Sequence, residues 1–183
     1  PGYEGYLRAL QNRRAHFLAH GAVSTDHGTL TARTLKLDTA EAGRLFEKGL
    51  RGEATPQEAE AFEANMTYQF ARMAVEDGLV MTLHPGVHRN HSPGTFARHG
   101  ADTGHDIPFA VNYTEAIRPV LQDFGTSKDF NLILFTLDET SYSRELAPLA
   151  GHYPCLKLGP AWWFYDSAEG MKRFRELTSE AMG

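Results

Sequence analysis

Thr82-Leu83-His84-Pro85-Gly86-Val87-His88-Arg89-Asn90 is the stretch on which the fold turns. It follows Leu79-Val80-Met81, an apolar run with the composition of a buried strand. Pro85 and Gly86 should break that strand, leaving the polar residues after them in a loop at its C-terminal end. In parallel α/β proteins that is the end where ligands bind. Two imidazoles, a guanidinium and an amide fall there between His84 and Asn90. A single His at a strand end is more often a structural hydrogen-bonding group than a ligand-binding one. The grouping of His84, His88 and Arg89 weakens that plain reading.

Working outward, Phe130-Asn131-Leu132-Ile133-Leu134-Phe135-Thr136-Leu137 is apolar on both faces, as a buried parallel strand should be. Ala22–Asp26 and Cys155–Gly159 read as two further strands. Helices are expected between them. Residues 4–20 carry apolar positions at helical spacing, with Gly21 after the end. Asp38 followed by Glu41 forms a capping box opening a helix to about Leu50. Thr55-Pro56-Gln57-Glu58 is a stronger start signal, with a cap, a proline and a reciprocal carboxylate. Phe62, Met66, Phe70 and Met73 follow as one stripe, which reads as core. Asn112 with Glu115 opens another helix, which Pro119 should kink or shorten. A short helix to about Ala150 follows the third strand. Asp166 and Glu169 are expected to cap a last helix with Met171, Phe174 and Leu177 inward.

Strands alternating with helices imply parallel pairing with right-handed crossovers, so the four strands should neighbour one another in chain order. A closed (β/α)₈ barrel needs eight strands and typically about 250 residues. The chain has 183 residues. It is therefore either a small open α/β sheet or part of a barrel. The segment from Pro85 to about Val111 is long for a βα connection, and such loops are often functional.

Composition limits the function classes. The net charge of −5 argues against nucleic-acid binding, and no apolar run approaches a membrane span. One cysteine, Cys155, excludes an internal disulfide and a Cys-based metal cluster, and fits a reducing, cytoplasmic setting. Five of nine histidines lie between positions 84 and 105.

Each strand ends in groups with chemical potential: Asp26 and His27, then His84 and Arg89, then Asp138 and Glu139, then Trp162 and Trp163. Imidazoles and carboxylates suit a divalent metal or acid–base work. Arg89 suits a carboxylate or phosphate through its planar fork. The tryptophan pair is either a sugar-stacking wall or an aromatic plug. Asp138-Glu139 reads more simply as a cap. No HxH, HExxH, Gly-rich phosphate loop or GxSxG elbow is present.

Thr25-Asp26-His27, Leu83-His84-Pro85-Gly86 with Arg89-Asn90, Asp102-Thr103-Gly104, and Gly159-Pro160-Ala161-Trp162-Trp163-Phe164-Tyr165-Asp166 together resemble successive motifs of uronate isomerase (glucuronate isomerase), of the amidohydrolase superfamily. The resemblance runs from the first helix to Gly183. It implies an α/β fold that is part of a (β/α)₈ TIM-type barrel with parallel strands and extra helices. Residues 1–183 would be a single partial barrel domain of middle-to-late βα units. The implied activity is aldose–ketose isomerisation of D-glucuronate to D-fructuronate, and of D-galacturonate to D-tagaturonate, by proton transfer between C2 and C1. The family's divalent metal, often zinc, takes an early His-x-His pair and a late Asp. Neither motif is in this sequence, so the metal ligands stay unassigned and the chain alone is expected to be inactive. His84 carries over as the catalytic residue, with Arg89, Asp26, His27, Trp162 and Trp163 as substrate-binding residues. His88, Pro85 and His91 depart from the commoner family residues. A small-molecule hexuronate and a homo-oligomer are the implied partners. Two alternatives remain open: a metal-dependent amidohydrolase with His84 as a ligand, and a non-catalytic α/β module binding metal or a sugar acid.

Overall fold

The computed structural model describes residues 2–179. Four strands form one parallel sheet: β1 (Ser24–Thr29), β2 (Val80–Pro85), β5 (Leu132–Phe135) and β6 (Leu156–Gly159). They neighbour one another in chain order, as the alternation of strands and helices predicts. A short antiparallel pair, β3 (Val87–His88) and β4 (Ile107–Pro108), forms within the long segment after β2.

The helices begin where the caps place them. α1 spans Tyr3–Ala19, and α2 spans Thr39–Leu50 with the Asp38 side chain accepting from the Glu41 amide. α3, Pro56–Asp77, carries the full Thr55–Glu58 capping box and ends on Gly78 in the left-handed region. Between β3 and β4 lies α4, Pro93–His99. Next come α5, Tyr113–Ala116, and α6, Arg118–Phe124, two short helices in place of one, split just before Pro119. α7, Ala147–His152, follows a π turn at Tyr142–Leu146, and α8 spans Ala168–Ser179. None of the described helices is long and apolar enough to cross a membrane.

The sheet has two unlike faces. Met81, Leu83, Leu132, Leu134 and Leu156 are buried against the helices in the main core. A smaller core joins Tyr3, Ala42 and Met66, with Phe46 and Phe62 against it, where α1, α2 and α3 meet. Arg14 of α1 is buried in a two-bond pair with Asp77 at the end of α3, its Nε donating to Oδ2 at 2.5 Å and Nη2 to Oδ1 at 2.9 Å. The other sheet face carries Asp26, Thr82, His84, Ile133, Phe135, Lys157 and Gly159, and much of it is open.

Three expectations need correction. The break after His84 falls as expected at Pro85 and Gly86, with Pro85 as the last residue of β2 in the extended backbone that proline allows at a strand end. Gly86 then makes the turn, at φ 91°, with room for no side chain because a Cβ would lie 2.6 Å from Val111 Cγ2. β1 likewise extends to Thr29, so Asp26 and His27 sit within the strand and point to opposite faces. Asp166 does not cap α8: the Ser167 hydroxyl accepts from the Gly170 amide one position later. Met171 is exposed, whereas Phe174 and Leu177 pack against the core as expected.

Candidate functional site

The register of β1 on β2 pairs Asp26 with Thr82 and Gly28 with His84. Asp26 and His84 are thus diagonal neighbours on the open face. Asp26 Oδ1 accepts from the Thr82 hydroxyl at 2.8 Å and lies 2.6 Å from His84 Nδ1. That second contact is a close approach out of line for a hydrogen bond, since Nδ1 is buried with no aligned partner among the described residues. Burial alone would raise the Asp26 carboxyl, but the Thr82 hydroxyl and the His84 ring outweigh it and hold it below its ordinary value.

His84 is held from its other sides by rings. It stacks on Phe135 of β5 at 4.1 Å between centroids and meets Trp162 at 4.7 Å. Phe135 occupies that place because its β6 partner is Gly159, where a Cβ would sit 2.4 Å from the ring. His84 Nε2 has no hydrogen-bond partner among the described residues.

Arg89 lies just beyond β3 and lines, with His84, His88, Val87, Gly28 and Thr29, a cavity of about 400 Å³. Its guanidinium carbon stands 5.6 Å from the Trp162 ring centre and 5.7 Å from that of Trp163. Nη1 donates to Asp106 Oδ2 at 2.7 Å. Asp106 Oδ1 also accepts from the Asn90 amide at 2.9 Å. Burial pushes the Asp106 carboxyl up, and the Asn90 amide and Arg89 together bring it below its ordinary range.

Of the six residues expected at the site, five gather on one side: Asp26, His84, Arg89, Trp162 and Trp163. Trp162 is half-buried at φ 39°, its indole N–H enclosed without a partner among the described residues, and Trp163 is 61% exposed. The sixth, His27, is not brought to them. It faces the helices, lies tilted against the Phe70 ring of α3 at 4.5 Å, and contacts the Thr25 hydroxyl at 3.0 Å. Burial, then the Arg14 charge, lowers its pKa to about 4 against a smaller opposing pull from Asp26. Asp138 does cap the turn after β5, accepting from the Thr140 amide at 3.0 Å, and Glu139 pairs with Arg173. Asp106, Thr82, Phe135 and Gly159 belong to the site's framework and were not singled out by the sequence. Strand alternation was the available signal for Thr82 and Phe135; Asp106 had none.

A metal does not fit these residues. Among the described residues no three His, Cys, Asp or Glu side chains converge to hold an ion. His84 and Asp26 offer two donors on this face, and Asp106 is already engaged by Arg89 and the Asn90 amide.

Known proteins resemble this chain over nearly its whole length. The model of the glucuronate isomerase family matches residues 1–182. A uronate isomerase of Corynebacterium efficiens is 54% identical over 182 residues, covering 100% of this chain and 39% of that protein. One from Xanthomonas campestris pv. campestris is 58% identical over 181 residues, with 99% of this chain and 38% of that protein covered. Among solved structures, the glucuronate isomerase of Caulobacter crescentus superposes with a TM-score of 0.96 at 52% identity, covering 100% of this chain and 38% of that one. The uronate isomerase of Thermotoga maritima gives 0.90 at 30% identity, covering 99% and 40%. The chain thus spans about two-fifths of the length of the proteins it matches, and its parallel βα units are part of a (β/α)₈ barrel fold. On this match across nearly every residue, the chain belongs to the glucuronate isomerase family.

Proposed function

We propose that the protein carrying this chain interconverts D-glucuronate and D-fructuronate, and D-galacturonate and D-tagaturonate, and that this chain supplies the carboxylate-binding and proton-handling side of the site. The carrying observation is the convergence of Asp26, His84 and Arg89 on one open sheet face beside an aromatic wall. Support for the substrate class comes from the relatives, whose names are uronate isomerases.

The reaction removes the proton at C2, passes through an enediolate, and returns a proton to C1. Arg89 uses one nitrogen on Asp106, and its remaining N–H groups are available to a hexuronate carboxylate. His84 faces Asp26 with Nδ1, so Nε2 is the nitrogen that takes and returns the proton. The Asp26 carboxylate lies against Nδ1 and sets which edge of the ring faces the cavity. Trp162 and Trp163 flank the sugar. Zinc or another divalent ion in the complete protein belongs to this reading, but the described residues do not form its site and no step here passes through it. A homo-oligomer in the cytoplasm and a single barrel domain belong to it as well.

The test is D-glucuronate turnover by the complete protein, followed by NMR, with Arg89→Lys beside the parent. An ammonium cannot reproduce the planar fork, so KM should rise about tenfold or more. Unchanged kinetics, or hydrolysis of amides or esters in place of isomerisation, would overturn the proposal.

A further inference from the structure

We infer that Asp106 is a positioning residue for substrate recognition, acting through Arg89; this rests on the proposed isomerase reading. The segment between β2 and α5 folds back on itself through the β3–β4 pair, which brings Asp106 beside Arg89 although 17 positions separate them. The Asp106 side chain is only 10% exposed, against 45% for Arg89. Its two oxygens do different work. Oδ1 takes the amide of Asn90, a residue at φ 56°, and so holds the strained turn that follows Arg89. Oδ2 takes one guanidinium nitrogen.

Around that turn, the Asp102 amide donates to Asn90 Oδ1 at 3.1 Å and the His91 amide to the His105 carbonyl at 2.7 Å. Asp106 is therefore the buried anchor of a cross-linked loop, and Arg89 is its exposed arm. The Trp162 and Trp163 rings lie alongside the guanidinium. An arginine held at one nitrogen and flanked by two indole rings has lost much of its rotamer freedom before ligand arrives, so less is lost on binding. Arg89 and His84 line one cavity, and the guanidinium N–H groups not engaged by Asp106 have no hydrogen-bond partner among the described residues, which leaves them available as a donor edge. A carboxylate fits that edge, since its two oxygens match parallel N–H donors.

Asp106 thus sets where the substrate carboxylate sits relative to His84 without touching substrate. Its removal should act on substrate binding more than on the chemical step, and only for ligands that carry the carboxylate.

The experiment uses the complete protein and three variants: Asp106→Asn, Arg89→Lys and the double variant. Asp106→Asn keeps the shape and an acceptor for the Asn90 amide. The expected result is a KM for D-glucuronate raised about tenfold with kcat changed far less, the order of one charge-assisted hydrogen bond. The double variant should be no worse than Arg89→Lys, because both act on one contact. Inhibition by a hexuronate should weaken in Asp106→Asn, while inhibition by the matching neutral hexitol should not. Losses that multiply in the double variant, equal loss for neutral and charged inhibitors, or a fall confined to kcat would overturn the inference. A parent without isomerase activity would instead remove the functional reading beneath it.

Discussion

Asp26 Oδ1 lies 2.6 Å from His84 Nδ1, across neighbouring parallel strands and on the same sheet face. The offset is two residues, since Asp26 pairs directly with Thr82 and His84 with Gly28. Thr82 tethers the carboxylate from below and Phe135 supports the imidazole from the side. Two rigid strands therefore hold the pair, and its geometry does not depend on a loop.

If this pair handles the proton, His84→Asn in the complete protein should lower kcat roughly 10²–10⁴-fold, the usual worth of a general acid–base group. Asp26→Asn should cost less, about 10²-fold, through misorientation of the ring. Because the Asp26 carboxyl is held below its ordinary value, it stays ionised near neutrality. The carboxylate is therefore present throughout about pH 6 to pH 8, and Asp26→Asn should be impaired at every pH in that interval. Steady-state kinetics across that interval check this; full activity in either variant would remove the pair from the mechanism.

Gly159→Ala should disable the site from a distance. The added methyl would meet Phe135 ring atoms at 2.4 Å, and Phe135 stacks on His84. Overpacking of this kind costs about 1–3 kcal/mol, and the ring can relieve it only by moving on the face it shares with His84. Loss of both thermal stability and kcat is expected, with Phe135→Leu restoring stability in the double variant. A Gly159→Ala protein with parental kcat would show that the Phe135 support is not needed.

His27 should make stability pH-dependent. Its folded pKa is about 4, below the ordinary 6.5, because burial and then the Arg14 charge disfavour the imidazolium. The unfolded chain binds a proton over that interval and the folded chain does not. Stability is thus full above about pH 6.5 and is lost as pH falls toward about 4. Between pH 7 and pH 5 the loss attributable to this residue is about 2 kcal/mol. Urea unfolding of the parent and of His27→Gln at the two pH values measures it. Equal losses in both proteins would exclude His27 as the source.

Asp77→Ala should be among the most damaging changes outside the site. Arg14 is buried and both its bonds to carboxylate oxygens end on Asp77, which also accepts from the Leu79 amide at 3.0 Å. Removing the carboxylate leaves a buried charge without compensation, a cost of about 3–5 kcal/mol. Replacing both partners together, Arg14→Met with Asp77→Asn, should recover much of it. Thermal unfolding separates the two; a small effect of Asp77→Ala would mean that water reaches Arg14.

Helix starts at Asp38, Thr55 and Asn112, the break before Pro119, and the four parallel strands in order were legible in the sequence. Capping and proline effects act over three or four residues, and a buried strand shows itself by its own apolar run, so neighbours in the chain suffice to decide them. The family was legible too, from motifs whose order along the chain survives without coordinates. Tertiary structure alone decided that Asp26 and His27 part company: β1 runs three residues past Asp26 to Thr29, and alternation sends one side chain to His84 and the other to Phe70. It also decided that Asp106 meets Arg89, that Gly159 makes space for Phe135, and that Trp162 closes over His84. Each of these is a contact between residues distant in sequence, set by strand register and by a loop folding back. Such pairings leave no local trace in composition or spacing, because their stabilisation arises only when the packed sheet brings the partners together.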